Sequence, residues 1–323
     1  DREKGTVLEH LKRSLNFTRT HLGKNKLPLL GFADWNDCMN LPLGAESSFN
    51  AGLYAKALLE MMDICETLGD TKSVKMYKGW YEDIKKAFND AAWDGKWWIR
   101  WFDKEGNAYG THKAKYGKIY CNSQSWSVMS GIAYGERAVM GMDSLNKLLN
   151  TANGVKSSTP GYRGFDGRVG GISTYPPGAK ENGGIFLHTN PWVMIAETIL
   201  GRGDKAFQYY NQINPASKNA KLDEFESEPY CYPQNILGDE HKQFGMGRNA
   251  WLSGTSSWTY QAATQYIIGV RAGLQGLVVD PCIPSSWKGF TVTRKFRGAT
   301  YEITVKNPKG VCKGVASMVV DGK

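Results

Sequence analysis

The periodicity of the apolar residues limits this chain to a mainly helical fold with a short β segment at its end. Apolar residues recur every three to four positions in stretches such as 5–22 and 46–68, which is typical of amphipathic helices. From residue 277 the period changes to two, which predicts β-strands. The sequence therefore predicts a helical domain over residues 1–272 and the start of a β domain over 273–323.

Long irregular segments separate the predicted helices. Helices are predicted at 5–22, 46–68, 71–88, 122–140, 143–150, 191–200, 204–212 and 255–269, a hairpin at 95–120, and strands at 290–294, 301–305 and 318–320. The longest irregular segment, 151–188, is rich in Gly, Pro, Ser and Tyr, and loops of that length are more often functional than idle. Paired helices with such loops favour an α/α toroid whose loops build a site at one face.

Composition and charge exclude several classes of function. The 323 residues carry a formal net charge of +9, but the basic residues are dispersed and no nucleic-acid-binding motif accompanies them. No run approaches the ~20 apolar residues of a membrane span, and the first residues lack a signal-peptide core. We therefore expect a cytoplasmic protein with no nucleic-acid or membrane partner. The 11 Trp and 16 Tyr suggest carbohydrate binding.

The six cysteines and five histidines are scattered along the chain. They form no Cys-x-x-Cys pair and no Cys–His cluster at zinc spacing. We interpret the cysteines as reduced packing residues and expect no metal site and no cofactor.

The segment GFADWNDCMN, residues 31–40, carries the most distinctive chemistry. It places Asp34 and Asp37 on either side of Trp35 and Asn36. An indole face suits the apolar face of a sugar ring, and carboxylate and carboxamide groups suit its hydroxyls. The same four residues also occur in ordinary capped turns, so the segment alone leaves both interpretations open.

Six ordered blocks of sequence resemble one enzyme family. They are GFADWNDCMNLPLGAES (31–47), NSQSWSVMSG (122–131), YPPGAKENGGIFLHTNPW (175–192), EPYCYPQNILGDEH (228–241), GRNAWLSGTSSWTYQAATQYIIG (247–269) and VVDPCIPSSWKGF (278–290). In order and spacing they resemble the inverting disaccharide phosphorylases of glycoside hydrolase family ninety-four, nearest to the cellobiose and cellodextrin phosphorylase branch.

The resemblance implies a fold, a reaction and an assembly. The fold is an (α/α)6 barrel, here lacking its N-terminal helices, followed by a β jelly-roll, with an N-terminal β-sandwich and helical linker upstream of residue 1. Members are typically homodimers. They cleave a β-glucosidic bond with inorganic phosphate and release α-glucose 1-phosphate with inversion, so phosphate is a co-substrate.

The resemblance also implies roles for individual residues on the sugar side of the site. Asp37 matches the general acid, and Trp35 lines the sugar site beside it. Lys180 and Glu181 match saccharide-contacting residues, and Gln234 matches a substrate-binding glutamine.

On the phosphate side, His188, Ser253 and Gly254 match the phosphate cradle. Ser253 stands where other members often have Thr, and it keeps the hydroxyl. The resemblance places the arginine that completes the cradle, and the Arg and Asp that grip the non-reducing sugar, upstream of residue 1. We therefore expect residues 1–323 alone not to turn over, with an inactive binding segment as a further hypothesis.

The chemistry explains why one carboxyl group suffices. An inverting hydrolase needs an acid and a base about 6.5–9.5 Å apart, whereas phosphate is already an anionic nucleophile. Asp37 must carry its proton when the substrate arrives, and Asp34 is interpreted as a supporting loop residue. A hydrolase on the same barrel, with Glu181 as base, is the alternative. Laminaribiose or another β-linked glucoside also stays open as substrate.

Several aromatic and amide residues are candidates either for the pocket or for the core. Trp126, Trp192 and Trp258 lie on predicted helices, where tryptophan usually belongs to the core. One of Trp97, Trp98 and Trp101 could reach the acceptor sugar from the predicted hairpin, and Gln124 is a weaker candidate of the same kind.

Overall fold

The computed structural model describes residues 4–322. The helices in this range are α1 (Val7–Thr20), α2 (Ser48–Thr67), α3 (Thr71–Ala91), α4 (Cys121–Met129), α5 (Gly135–Leu149), α6 (Asn190–Ile199), α7 (Gly203–Ile213), α8 (Leu222–Phe225) and α9 (Thr255–Gln261). Shorter 3₁₀ segments cover Gly170–Thr174, Leu187–Thr189 and Pro215–Lys221, and a π-helical segment, Ala262–Ile267, continues α9.

The strands are short until the end of the chain. They are β1 (Glu46–Ser47), β2 (Trp101–Phe102), β3 (Ala108–Tyr109), β4 (Ile119–Tyr120), β5 (Asn150–Thr151), β6 (Gly154–Val155), β7 (Ser158–Thr159), β8 (Ile185–Phe186), β9 (Pro233–Ile236), β10 (Gly247–Ala250), β11 (Val270–Ala272), β12 (Leu277–Val279), β13 (Gly289–Phe296) and β14 (Ala299–Lys306). The predicted mainly helical fold is confirmed. None of the helices in the described range is long and apolar enough to cross a membrane.

The chain divides into two compact units. The first comprises Asp1–Thr151, Lys156–Ile185 and Leu237–Phe244, and the second comprises Ala152–Val155, Phe186–Ile236 and Gly245–Lys323. The domain boundary between residues 272 and 273 stays a prediction.

Local capping determines where the first helices begin and end. Thr6 and Glu9 form a capping box at the start of α1, with the Glu9 amide donating to Thr6 Oγ1 at 3.2 Å. Asp70 caps α3 by accepting a hydrogen bond from the Ser73 amide at 3.0 Å. Gly69 follows α2 with a φ of +74°, which a side chain would disfavour.

The predicted helix boundary between Met140 and Asp143 is wrong. The chain leaves the helix between α4 and α5 instead, where Gly131 and Gly135 adopt positive φ values. Helix α5 continues through Gly141, where the absence of a side chain allows close packing. A Cβ atom there would lie 3.2 Å from the Trp98 ring, so its absence allows α5 to pack closely.

The predicted hairpin after residue 95 is confirmed for β2 and β3. Trp101 pairs with Tyr109 and Phe102 pairs with Ala108, and β1 adds a third antiparallel strand on the other side of β2. Strand β4 pairs instead with β7, which belongs to the segment predicted to be irregular. The polar segment after α5 is therefore attached to the first unit by backbone hydrogen bonds.

A hydrophobic cluster in the first unit supports the DWND turn. It consists of Leu30, Cys38, Met39, Leu41, Ala45, Trp101, Tyr120, Tyr162, Val169 and Ile172. Cys38 and Met39 follow Asp37 directly in the chain, so burial of their side chains anchors the backbone on which Asp37 is carried.

The end of the chain is only partly as predicted. Strands β13 and β14 form a regular antiparallel pair, from Gly289 opposite Lys306 to Phe296 opposite Ala299, and β11 pairs with β12. The strand predicted at 318–320 is wrong. Those residues are exposed and outside any strand, since an isolated apolar run gains nothing from extension without a partner strand. The predicted jelly-roll is not confirmed.

Candidate active site

The first aspartate of the DWND turn is a structural residue. Asp34 forms a bidentate ion pair with Arg100, with Nη1 2.7 Å from Oδ2 and Nη2 2.8 Å from Oδ1, and both side chains are fully buried. Ser47 Oγ, Trp101 Nε1 and the Asn36 amide also donate to this carboxylate, at 2.6, 3.1 and 2.9 Å. The supporting role predicted for Asp34 is confirmed.

Arg100 stabilises the DWND turn through buried contacts. Besides Asp34, its guanidinium donates to the side-chain oxygen of Asn36 at 2.8 Å, and its Cζ lies 3.7 Å from the centre of the Trp101 ring. The Asn36 oxygen receives a further hydrogen bond from Asn122 Nδ2 at 3.0 Å. Two of the four turn residues are therefore immobilised by buried polar contacts.

The same turn exposes its second aspartate. Asp37 is exposed between the buried residues Asn36 and Cys38, and its carbonyl accepts a hydrogen bond from Asn40 Nδ2 at 3.0 Å. Trp35 is half-buried. The turn is therefore held by buried polar contacts at Asp34 and Asn36, whereas the carboxyl group of Asp37 is exposed to a ligand.

The carboxyl group of Glu181 lies close to that of Asp37. Ligand atoms of Asp37, Cys38 and Glu181 all lie within 4.8 Å of one another. Glu181 is only 7% exposed, and among residues 4–322 its Oε2 has no hydrogen-bond partner. Burial, and then the charge of Asp37, raises the pKa of the Glu181 carboxyl group, so its neutral form is favoured.

These three residues are the only group in the described range whose ligand atoms are close enough for a metal ion. Burial raises the pKa of the Cys38 thiol as well as that of Glu181. Since metals bind thiolates and carboxylates, a protonated thiol beside a protonated carboxyl group is a poor donor set. The predicted absence of a metal site stays a prediction.

The AKENGG loop carries Lys180 and Glu181. The Glu181 carbonyl accepts hydrogen bonds from the hydroxyls of Ser157 and Ser158, at 2.8 and 3.1 Å. Gly184 is required sterically, because a Cβ atom there would lie 2.4 Å from the Lys180 carbonyl oxygen. Lys180 adopts a φ of +48°, with its ammonium 5.3 Å from the centre of the Tyr175 ring.

The hairpin tryptophans and Gln124 are not pocket residues. Trp97, Trp98 and Trp101 are at most 6% exposed, so none of them presents a face to a sugar. Trp97 Nε1 donates to backbone carbonyls, and Gln124 bonds both the amide and the carbonyl of Trp98. Trp98 packs against Phe88 of α3, with their ring centres 4.5 Å apart.

The second unit brings the three predicted phosphate residues together. A Cβ atom on Gly254 would lie 2.9 Å from Cε1 of His188, so the imidazole rests against the glycine. Ser253 Oγ accepts a hydrogen bond from the Thr255 amide at 3.0 Å and shares a short contact with the Thr255 hydroxyl. The ring of His188 also contacts the rings of Trp192 and Trp258.

His188 is not expected to carry a charge before an anion binds. Burial lowers the pKa of this half-buried imidazole below its usual value, which favours the neutral ring. A neutral imidazole still provides one N–H donor. Gln234 lies on β9 in the same unit, and its Oε1 is buried without a hydrogen-bond partner in the described part of the chain.

A model of the glycosyl hydrolase 94 superfamily catalytic domain matches residues 1–269. The chain belongs to this superfamily. It is 40% identical to an N,N'-diacetylchitobiose phosphorylase of Vibrio proteolyticus over 324 aligned residues, which cover 100% of this chain and 40% of the relative. It is 33% identical to a 3-O-beta-D-glucopyranosyl-beta-D-glucuronide phosphorylase of Paenibacillus borealis, covering 99% of this chain and 42% of the relative.

The glycosyl hydrolase 94 chain thus spans about 40% of the length of these relatives. A solved structure described as a sialidase matches 94% of the chain and 28% of its own length, with a TM-score of 0.65 and 13% identity. That likeness concerns the fold alone. The predicted family is confirmed, whereas the relatives do not single out its cellobiose and cellodextrin branch.

For two residues of this glycosyl hydrolase 94 site, the sequence did not predict a place in the site. Arg100 sits among tryptophans on a hairpin, where alternation suggests a surface position, and Cys38 is one of six dispersed cysteines. The available signal was the unusual run of aromatic residues around Arg100, because a buried guanidinium is commonly stacked on a ring.

Proposed function

We propose that this chain carries the general acid and the phosphate contacts of an enzyme that cleaves a β-linked disaccharide with inorganic phosphate. The observation that carries the proposal is the unequal pair of carboxyl groups, Asp37 exposed and Glu181 buried, within 4.8 Å of each other. Only Asp37 is accessible to a glycosidic oxygen. The rigid contacts of Asp34 behind it support a precisely placed acid.

In the proposed reaction, Asp37 donates its proton to the glycosidic oxygen as the bond from that oxygen to the anomeric carbon breaks. A phosphate oxygen attacks the anomeric carbon from the opposite face, which inverts a β linkage into an α-sugar 1-phosphate. The second sugar leaves with the proton. General-acid help of this kind contributes about 10²–10⁴-fold to the rate.

The properties of Glu181 argue against the hydrolase alternative. An inverting hydrolase needs a base about 6.5–9.5 Å from the acid, so that a water molecule fits between them. Glu181 lies closer than that to Asp37, and the raised pKa of its carboxyl group favours the form that cannot accept a proton. We assign Glu181 to contact with the bound sugar, where a protonated carboxyl group can donate a hydrogen bond.

The cluster of His188, Ser253 and Gly254 supports phosphate as the nucleophile. The hydroxyl, the backbone amide of Gly254 and one imidazole N–H are all donors suited to an oxyanion. A bound phosphate would stabilise the protonated form of His188 and so offset the effect of burial. We further propose that Trp35, Lys180 and Gln234 contact the sugars.

For the substrate, we propose N,N'-diacetylchitobiose first and cellobiose or short cellodextrins second. The first rests on the function named for the relative that is 40% identical over this whole chain. The second rests on the motif resemblance, and laminaribiose stays a third candidate. We also propose the (α/α)6 barrel, the homodimer and the cytoplasmic location that the resemblance implies.

The test uses residues 1–323 joined to the upstream segment that the family resemblance implies, since we expect residues 1–323 alone not to turn over. This protein receives each disaccharide, with and without inorganic phosphate, and sugar 1-phosphate and its anomer are detected by ³¹P and ¹H NMR. We expect an α-sugar 1-phosphate from one of these disaccharides, and only when phosphate is present. Release of free sugars at the same rate without phosphate would instead identify a hydrolase.

Asp37→Asn tests the acid itself, with Asp63→Asn as the matched control because Asp63 is exposed on α2. We expect Asp37→Asn to lower turnover about 10²–10⁴-fold and Asp63→Asn to leave it unchanged. Near-normal turnover of Asp37→Asn would remove this residue from the role of general acid.

A further inference from the structure

The second unit contains a pocket whose walls include two lysines. The cavity has a volume of about 350 Å³, at the lower end of the range of small-molecule sites. Its walls are Ala152, Asn153, Gln208, Asn211, Gln212, Ser217, Lys218 and Lys221. None of these residues belongs to the cluster of His188, Ser253 and Gly254.

Two short pieces of helix determine which side chains meet in this pocket. Gln208, Asn211 and Gln212 have the spacing that places side chains on one face of α7. Lys218 and Lys221 lie three residues apart on the 3₁₀ segment, and residues at that spacing project from the same side of a 3₁₀ helix. The pocket therefore combines a wall of carboxamides with a pair of cations.

Lys218 is buried without a carboxylate. It is 6% exposed, and its Nζ donates a hydrogen bond to Asn153 Oδ1 at 3.1 Å. Burial, reinforced by the charge of Lys221, lowers the pKa of the Lys218 ammonium group to about 8. Within residues 4–322 neither lysine takes part in an ion pair. A buried cation without a counter-charge costs free energy, which a bound anion would recover.

We propose that this pocket is a second ligand site, which binds a phosphorylated monosaccharide with the phosphate on Lys218 and Lys221 and the sugar hydroxyls on the carboxamides. Carboxamides offer both donors and acceptors, as hydroxyl groups require. The cavity is also larger than an inorganic phosphate ion needs. The proposal goes beyond the proposed phosphorolysis, since it concerns binding at residues that take no part in that reaction.

The test measures acetylation of individual lysines by acetic anhydride at pH 8, read by mass spectrometry of the Lys218 peptide. The probes are α-glucose 1-phosphate, glucose and inorganic phosphate, each applied to the purified protein. We expect α-glucose 1-phosphate to slow acetylation of Lys218 roughly tenfold at saturation, because a bound phosphate favours the unreactive ammonium form. We expect glucose and inorganic phosphate to protect only at much higher concentration.

Lys221→Met tests the pocket without altering a buried residue, and Lys309→Met is the control because Lys309 is exposed on the turn after β14. We expect Lys221→Met to weaken the protective affinity of α-glucose 1-phosphate about tenfold, the loss of one charge-assisted hydrogen bond, and Lys309→Met to leave it unchanged.

Three results would overturn the proposal. They are no protection of Lys218 by α-glucose 1-phosphate, protection unchanged in Lys221→Met, and equal protection by inorganic phosphate, which would remove recognition of the sugar. Because the readout is protection and not turnover, a protein without phosphorolytic activity would still give a definite answer about this pocket.

Discussion

A carboxyl oxygen of Asp37 lies within 4.8 Å of one of Glu181, although the two residues come from separate loops of the first unit. The two groups differ in environment, since Asp37 is exposed and Glu181 is 7% exposed. A pair of like acids at this distance is best accommodated when one of them is neutral. Burial favours the neutral form of Glu181. Of the two carboxyl groups, that of Asp37 is the exposed one, which a ligand can reach.

Glu181→Gln should stabilise the protein at neutral pH. The folded-state pKa of Glu181 is raised, so the stability of the wild type falls as the pH rises from the ordinary Glu pKa through the raised value. Glutamine cannot ionise and avoids this loss. The free energy of unfolding of both proteins is measured by urea titration at pH 4 and pH 7. The difference in favour of the variant should be larger at pH 7 than at pH 4. Glu224→Gln, at an exposed position, should show no such gain, and an equal difference at both pH values would refute the argument.

Arg100→Met should destabilise the first unit strongly. It leaves the buried Asp34 carboxylate without its ion-pair partner, and removing one member of a buried pair costs about 3–5 kcal/mol. Arg168→Met removes an exposed ion pair with Asp166 and should cost about 0–1 kcal/mol. Denaturant midpoints of the two variants check the contrast. If the two midpoints shifted equally, burial of the Asp34–Arg100 pair would not be the cause.

His188 should make the protein less stable in mild acid. Its folded-state pKa is lowered by burial, so the unfolded state takes up a proton first as the pH falls through about 6.5, the ordinary His pKa. Stability is therefore lost between that value and the lowered one. His188→Gln should show a smaller drop in melting temperature between pH 7 and pH 5 than the wild type. His241→Gln is the control, at a position where the Nδ1 atom accepts a hydrogen bond from the Gln243 amide, and it should behave like the wild type.

Gly254→Ala should weaken phosphate binding without disturbing the fold. The backbone φ of Gly254 is −78°, which alanine adopts readily, but the added methyl group would lie 2.9 Å from the His188 ring. The ring must move, and a displaced donor should raise the KM for phosphate roughly tenfold or more. Gly79→Ala is the control, because nothing lies within 4 Å of a Cβ atom at that position on α3. An unchanged KM in Gly254→Ala would separate His188 from the phosphate site.

Sequence reasoning succeeded where the signal is local. The strands predicted at 290–294 and 301–305 are present as β13 and β14, because the alternation that predicts a strand is a pattern between nearby residues. The sequence predicted the boundary between α4 and α5 too far along the chain, because a glycine that ends a helix cannot be distinguished in sequence from one that only allows close packing. Gly131 and Gly135 break the helix, whereas Gly141 only makes room for Trp98.

By itself, the sequence determined the family and predicted the grouping of His188 with Ser253 and Gly254, because ordered motifs record which residues a site uses. The role of Asp37 as the acid stays a prediction from the same motifs. Only the tertiary structure decided the state of those residues. Whether Asp34 is bound by Arg100, whether Glu181 is neutral and whether Lys218 lacks a counter-charge all depend on burial and on partners distant in sequence. Desolvation and Coulomb interactions act between positions in space, so their effects emerge only when the chain has folded.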